Sequence, residues 1–291
     1  MTSTSTNAPT LPATLRLGPT HVVVRDLDRA VAWYERALGL IPGRREDGVA
    51  ELGDGATTSV VLHEDPQARP AGRHAGLYHY ALLYPSRQEL ARAAVRLAQT
   101  RTPIQGASDH GTHEAIYLPD ADGNGIELAA DRPREAWPSL QEELYRGGPE
   151  ALDVDALLAT IEGEGPSERV REGLRMGHVH LHVGDIERGL AFYRDVLGFE
   201  VQALMSSAAF VSAGGYHHHL GFNTWRGQGA APAPPHTAGL DHWTVVLDDA
   251  EQVREVRSRV EAAGLPLEAA DEAAFTVRDP WNSAVRFEAA R

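Results

Sequence analysis

Four times along the chain a short extended apolar run gives way to helical periodicity. A short β-branched run over Thr20–Val24 predicts a strand, and apolar residues then recur at helical spacing over Leu27–Leu38. The same change predicts a strand at Leu77–Leu83 with a helix at Glu89–Gln99, a strand at His178–Val183 with a helix at Glu187–Leu197, and a strand at Asp241–Leu247 with a helix at Glu251–Ala263. Two or three extended runs follow each helix: Gly48–Leu52 and Ser59–His63, Ala115–Leu118 and Ile126–Ala129, Ala208–Ser212 and His219–Thr224, Ala274–Arg278 and Ala284–Glu288. The predicted unit is strand, helix, three strands, an α+β module. Trp33, Tyr34, Phe192 and Tyr193 fall at helical spacing and are expected in the core.

Two of these units are one segment written twice. Asp26–Leu40 (DLDRAVAWYERALGL) and Asp185–Phe199 (DIERGLAFYRDVLGF) align without a gap at an offset of 159. The expected organisation is a disordered tail over residues 1–16, modules one and two over 17–130, a linker with short helices over 131–175, and modules three and four over 176–291. A second Gly, Ala and Pro-rich loop, Arg226–Gly239, reads either as an ordered flap near a site or as plain surface.

Composition narrows the chemistry. The 291 residues include no cysteine, and all 27 basic residues are arginine. Disulfides, thiolate nucleophiles, iron–sulfur clusters, Schiff bases and a phosphate-cradling lysine are therefore excluded. A net charge of −14 argues against nucleic acid or an anionic membrane as partner. No run approaches a membrane span or an export signal, so a cytoplasmic protein acting on a small molecule is expected. A homo-oligomer is compatible with the pattern.

Counting back seven residues from the helix-opening positions Asp26, Ser86, Asp185 and Asp249 reaches Pro19, His79, His178 and His242. Three modules thus carry histidine at one register. In the second, a tight DADGNG turn places Glu127 on the following strand; Arg286 occupies the corresponding place in the fourth, with Glu288 one pleat away. Two imidazoles and a carboxylate on neighbouring strands suit a divalent metal with open coordination positions, iron(II) foremost, with manganese(II) or another divalent ion as the alternative.

These residues resemble the vicinal oxygen chelate (glyoxalase/bleomycin resistance/extradiol dioxygenase) superfamily. The stretches GLYHYALLYPSR, ASDHGTHEAIYLPDADGNGIEL, MGHVHLHV and SAGGYHHHLGFNTW are most similar to bacterial catechol 2,3-dioxygenase-like proteins. The resemblance implies four βαβββ modules paired into two cupped half-barrels and an extradiol dioxygenase that opens a catechol-type aromatic diol with O2. It implies His79, His178 and Glu127 as metal ligands. Tyr117, ten residues before Glu127, and His218, in YHHHLGF, take the places of the family's catalytic tyrosine and acid–base histidine. Pairing module two with module three brings all five around one metal, whereas pairing one with two or three with four leaves each set incomplete.

His110 is expected near substrate. His180 and His219 are candidates for contacts behind the metal ligands or to substrate, with polar filling of the cup or a solvated strand edge as the plainer reading, and His217 reads as strand edge. Two rival functions share the scaffold: a glyoxalase-type metal-dependent isomerase or lyase, and a metal-free resistance protein that sequesters a small molecule.

Overall fold

The computed structural model describes residues 10–139, 141 and 147–290. Module one consists of β1 (Arg16–Val24), α1 (Leu27–Trp33) running into a π-helical turn (Tyr34–Leu38), β2 (Ile41–Glu46), β3 (Val49–Gly53) and β4 (Thr58–Glu64). Module two comprises β5 (Gly76–Leu83), α2 (Arg87–Gln99), β6 (Gly106–Asp109), β7 (His113–Pro119) and β8 (Gly125–Asp131). The connection holds β9 (Glu150–Ala151) and α3 (Val154–Ala159). Module three has β10 (Arg175–His182), α4 (Ile186–Leu190) with its own π-helical turn (Ala191–Val196), β11 (Glu200–Leu204), β12 (Ala208–Ser212) and β13 (Leu220–Asn223). Module four has β14 (Gly239–Leu247), α5 (Ala250–Ala262), β15 (Ala274–Arg278) and β16 (Ala284–Ala289). There a single bridge, Glu268 to Thr276, stands where the pattern of the other modules would put another strand.

The four helices start where they do because each has a side-chain acceptor at its N-cap. Asp26, Ser86, Asp185 and Asp249 accept from the N–H of Arg29, Glu89, Arg188 and Gln252. These are the helix-opening positions that set the histidine register. The first helix ends at Gly39, whose φ of +71° is the left-handed conformation a C-cap requires.

Two sheets result. One has the order β15-β16-β14-β1-β4-β3-β2 and joins modules one and four; the other, β11-β12-β13-β10-β5-β8-β7-β6-β9, joins modules two and three. The joins are antiparallel pairs, β1 with β14 and β10 with β5. The expected two–three pairing is the one the sheets adopt.

The helices and sheets enclose a continuous core that includes Tyr34, Phe192 and Tyr193; Trp33 packs against it only partly buried. In the DADGNG turn, Asp120 accepts the N–H groups of Asp122 and Asn124 through Oδ1, while Tyr34 donates its hydroxyl to Oδ2 at 3.0 Å. The duplicate pair, Tyr193 and Asp279, is bonded at 2.8 Å. Each half is thereby pinned across its own two modules.

Part of the expected tail is structured. Leu11 and Leu15 are buried, and the N–H of Leu11 donates to Gly198 O at 2.9 Å. Residues 1–9 lie outside the described residues. The linker carries the short helix α3 and also adds β9 to the edge of the nine-stranded sheet. The 226–239 loop is ordered against the 69–76 connection, with Ala75 N–H donating to Ala231 O and Arg226 donating to His74 O. No described helix is long and apolar enough to cross a membrane.

Candidate metal centre

Register on the central strands creates the site. Ala81 of β5 is paired with Glu127 on one side and with His178 on the other, and His79 lies two residues away on the same face. Ala81 presents only a methyl group there, leaving space between the flanking carboxylate and imidazole. Nε2 of His79 and Nε2 of His178 each lie 3.1 Å from Oε2 of Glu127. All three side chains are buried. Close backbone approach holds the arrangement: a Cβ on Gly125 would fall 2.0 Å from Tyr78 O, and one on Gly221 would fall 2.9 Å from the His180 ring.

Among the described residues, Glu127 is paired with no arginine. Burial opposes its ionisation, but the imidazoles of His178, His113 and His79 outweigh that and hold its carboxyl well below the usual range. Burial pushes His178 down, with Glu127 pulling the other way, which favours the neutral imidazole that ligates metal. A carboxylate this buried is a negative charge awaiting a cation. The donor set fits a divalent ion.

His218 stands against His178, with ring centroids 4.1 Å apart. Burial first, then the charge of His178, lowers its pKa well below the usual value. Its tautomer is set from a distance. Asp131 accepts only, so His217 Nε2–H donates to Asp131 Oδ1 at 3.1 Å and leaves His217 Nδ1 bare. His218 Nδ1–H then donates to that nitrogen at 2.9 Å, and the lone pair of His218 is left on Nε2. Tyr216 completes the chain by donating its hydroxyl to Asp131 Oδ2 at 2.9 Å.

Tyr117 is directly paired with Glu127 across β7 and β8. Its hydroxyl lies 2.6 Å from His110 Nε2. Burial, then the charge of Glu127, raises the phenol well above its ordinary pKa, so it stays a donor. Burial drops His110 to about 3. His180 lies beside the trio with its ring 5.0 Å from that of His79, and its Nε2 is 2.9 Å from the Asn223 amide. His219 goes elsewhere: its Nδ1 accepts from Ala213 N–H at 3.2 Å and its ring stacks on Tyr216. It makes no contact with the trio.

A family model described as Glyoxalase/Bleomycin resistance protein/Dioxygenase superfamily matches residues 16–128 and again 175–287. The chain belongs to this superfamily. Among its relatives, the Catechol-2,3-dioxygenase of Bacillus subtilis (strain 168) is 41% identical over 273 residues, covering 92% of this chain and 95% of that protein. Two solved structures share the superfamily architecture. Glyoxalase I from Zea mays superposes with a TM-score of 0.58 at 17% identity, over 95% of this chain and 92% of that one. The cppA protein from Streptococcus pneumoniae TIGR4 gives 0.59 at 15% identity, over 94% and 99%. At such identities these two speak to fold alone.

Within this superfamily fold, three functional candidates escape a reading of the sequence. His113 places Nε2 3.1 Å from Oε1 of Glu127, on the carboxylate's other oxygen. Asp131 and His217 hold His218. The expected solvated strand edge at His217 is corrected by its burial, with 4% exposure, under the Trp137 and Tyr216 rings. A signal for His113 did exist: it lies four residues before Tyr117 on the same strand face.

Proposed function

We propose that this chain is a metal-dependent extradiol dioxygenase that opens a catechol-type aromatic diol with O2. In this reading His79, His178 and Glu127 hold the metal, iron(II) in the first place and manganese(II) in the second. His218 is the acid–base residue and Tyr117 the hydrogen-bond donor. The observation that carries it is the convergence of two imidazoles and one carboxylate beside an imidazole whose unprotonated nitrogen is free. The relative named Catechol-2,3-dioxygenase supports the same reaction class.

Once bound, the ion supplies Lewis acidity that acidifies a catechol hydroxyl and an electron source for dioxygen. The protein's own part is proton handling and orientation. His218 Nε2 accepts the proton of the second hydroxyl and returns it when the O–O bond breaks, while its Nδ1–H stays anchored on His217. Tyr117 donates to oxyanion charge developing on the substrate, and His110, within hydrogen-bond reach of that hydroxyl, keeps it directed. His113 turns the carboxylate of Glu127 so that Oε2 faces both ligating histidines.

The test is oxygen uptake by anaerobically iron(II)-loaded protein given catechol and substituted catechols, with metal analysis of the protein as purified. Uptake with a coloured ring-opened product is expected. Bound metal without oxygen consumption would move the assignment to a glyoxalase-type isomerase or lyase, and absence of metal to a sequestering protein.

A further inference from the structure

A cleft of about 720 Å³ lies between the two sheets, and none of the metal trio lines it. The internal duplication lines both of its walls with equivalent residues. Leu15 faces the cleft with Leu174, Arg16 with Arg175, and Leu17 with Met176, each pair separated by the repeat offset. Arg134 of the connection adds a third guanidinium on one side.

The charge of this cleft is the reverse of the molecule's. The chain carries 41 acidic residues against 27 basic ones, yet no acidic side chain lines the cleft among the described residues. Some arginines elsewhere are matched to carboxylates, as in Arg87 with Glu114, Arg92 with Glu164 and Arg132 with Asp109, and others, such as Arg96 and Arg259, to backbone carbonyls. Arg16, Arg134 and Arg175 have no carboxylate partner among the described residues, although all three line one space. Arg134 is held by the Gly214 carbonyl and by the Trp137 ring, 5.6 Å from its guanidinium carbon. Three guanidinium groups lining one cleft of an otherwise acidic protein make a local positive patch that favours an anion. The remaining lining includes Leu15, Leu17, Leu174 and Met176, with Tyr216 and His219 among them.

We infer that this cleft binds an organic anion, an apolar body carrying a carboxylate or phosphate group, with Arg16 and Arg175 as the principal contacts and Arg134 in support. The guanidinium fork pairs with either oxyanion in two-point fashion, and Leu15, Leu17, Leu174 and Met176 receive the hydrocarbon part. The inference is independent of the metal centre and of the reaction proposed there.

Calorimetric titration of the metal-loaded protein with hexanoate, hexyl phosphate, inorganic phosphate and hexanol tests it. Hexanoate or hexyl phosphate should bind saturably, at least about tenfold more tightly than hexanol, and binding should weaken with added salt. The ratio between the two anions tells carboxylate from phosphate ligands, and inorganic phosphate reports what the charged group contributes without the body. Arg16→Ala combined with Arg175→Ala, both exposed positions that leave the core intact, should cost at least about tenfold in affinity for the anions alone. Equal binding of hexanol, unchanged binding in the double variant, or no saturable binding of either anion up to about 10 mM would overturn the proposal.

Discussion

The two cups of this molecule are copies in architecture and opposites in chemistry. In the cup of modules two and three, His79, His178 and Glu127 converge. At the same places the cup of modules one and four has His242, Pro19 and Arg286. His242 pairs with His21 across β14 and β1 as His79 pairs with His180 across β5 and β10. His21 stacks on His242 at 3.8 Å and reaches His63 at 2.8 Å, so the second cup is not poor in imidazole. It lacks a carboxylate at its centre. Arg286 is instead bonded to Glu288, and among the described residues no three metal-type ligands converge there. On equivalent strands, the proposed cation site of one cup differs from its counterpart by a carboxylate replaced with a guanidinium and an imidazole replaced with a proline.

Transplanting that difference should produce the largest effect. Glu127→Arg places the second cup's residue in the first, and bound metal measured by elemental analysis should fall to background together with oxygen uptake. Retained stoichiometric metal would show that Glu127 is not a ligand. His218→Ala separates chemistry from metal binding: metal content should stay near that of the parent while kcat falls by about 10² to 10⁴. Full turnover in that variant would remove His218 from the mechanism.

The turn aspartates sharpen the comparison on the side of stability. Burial raises Asp279 from 3.8 to about 6 in the folded protein, with the Tyr193 hydroxyl and the N–H groups of Ser283 and Trp281 pulling the other way. A raised carboxyl pKa favours folding fully below the unfolded value, near 4, and that contribution is lost as pH rises through about 6. Relative to Asp279→Asn, the parent should therefore lose up to about 3 kcal/mol between pH 4 and 7, read from urea midpoints at the two pH values. A difference that does not change with pH would refute the buried-charge argument.

The smallest effect is expected from His113. His113→Ala leaves both ligating histidines and the carboxylate but frees Oε1 of Glu127, and metal affinity should weaken by about 10- to 100-fold in competition with a chelator. No change in affinity would make His113 a packing residue.

Much of this was legible in order of residues alone. The capping positions Asp26, Ser86, Asp185 and Asp249, the histidine register counted from them and the DADGNG turn before Glu127 all rest on local rules, in which a few neighbouring residues fix backbone direction and side-chain face. The same locality explains the strand and helix positions. Roles that lie across a strand pair were legible only as far as a shared strand face. His113 meets Glu127 only because β7 and β8 take one register, and His217 reaches Asp131 only because modules two and three share a sheet. Arg16 and Arg175, 159 positions apart in the chain, line one cleft only because the two sheets pack together. The sequence by itself determined the modules, their duplication and the ligand types, because periodicity and turn chemistry act over a few residues. Which modules paired, and therefore which cup holds a carboxylate among histidines and which an arginine, was decided by tertiary structure, where long-range strand pairing and burial choose the neighbours.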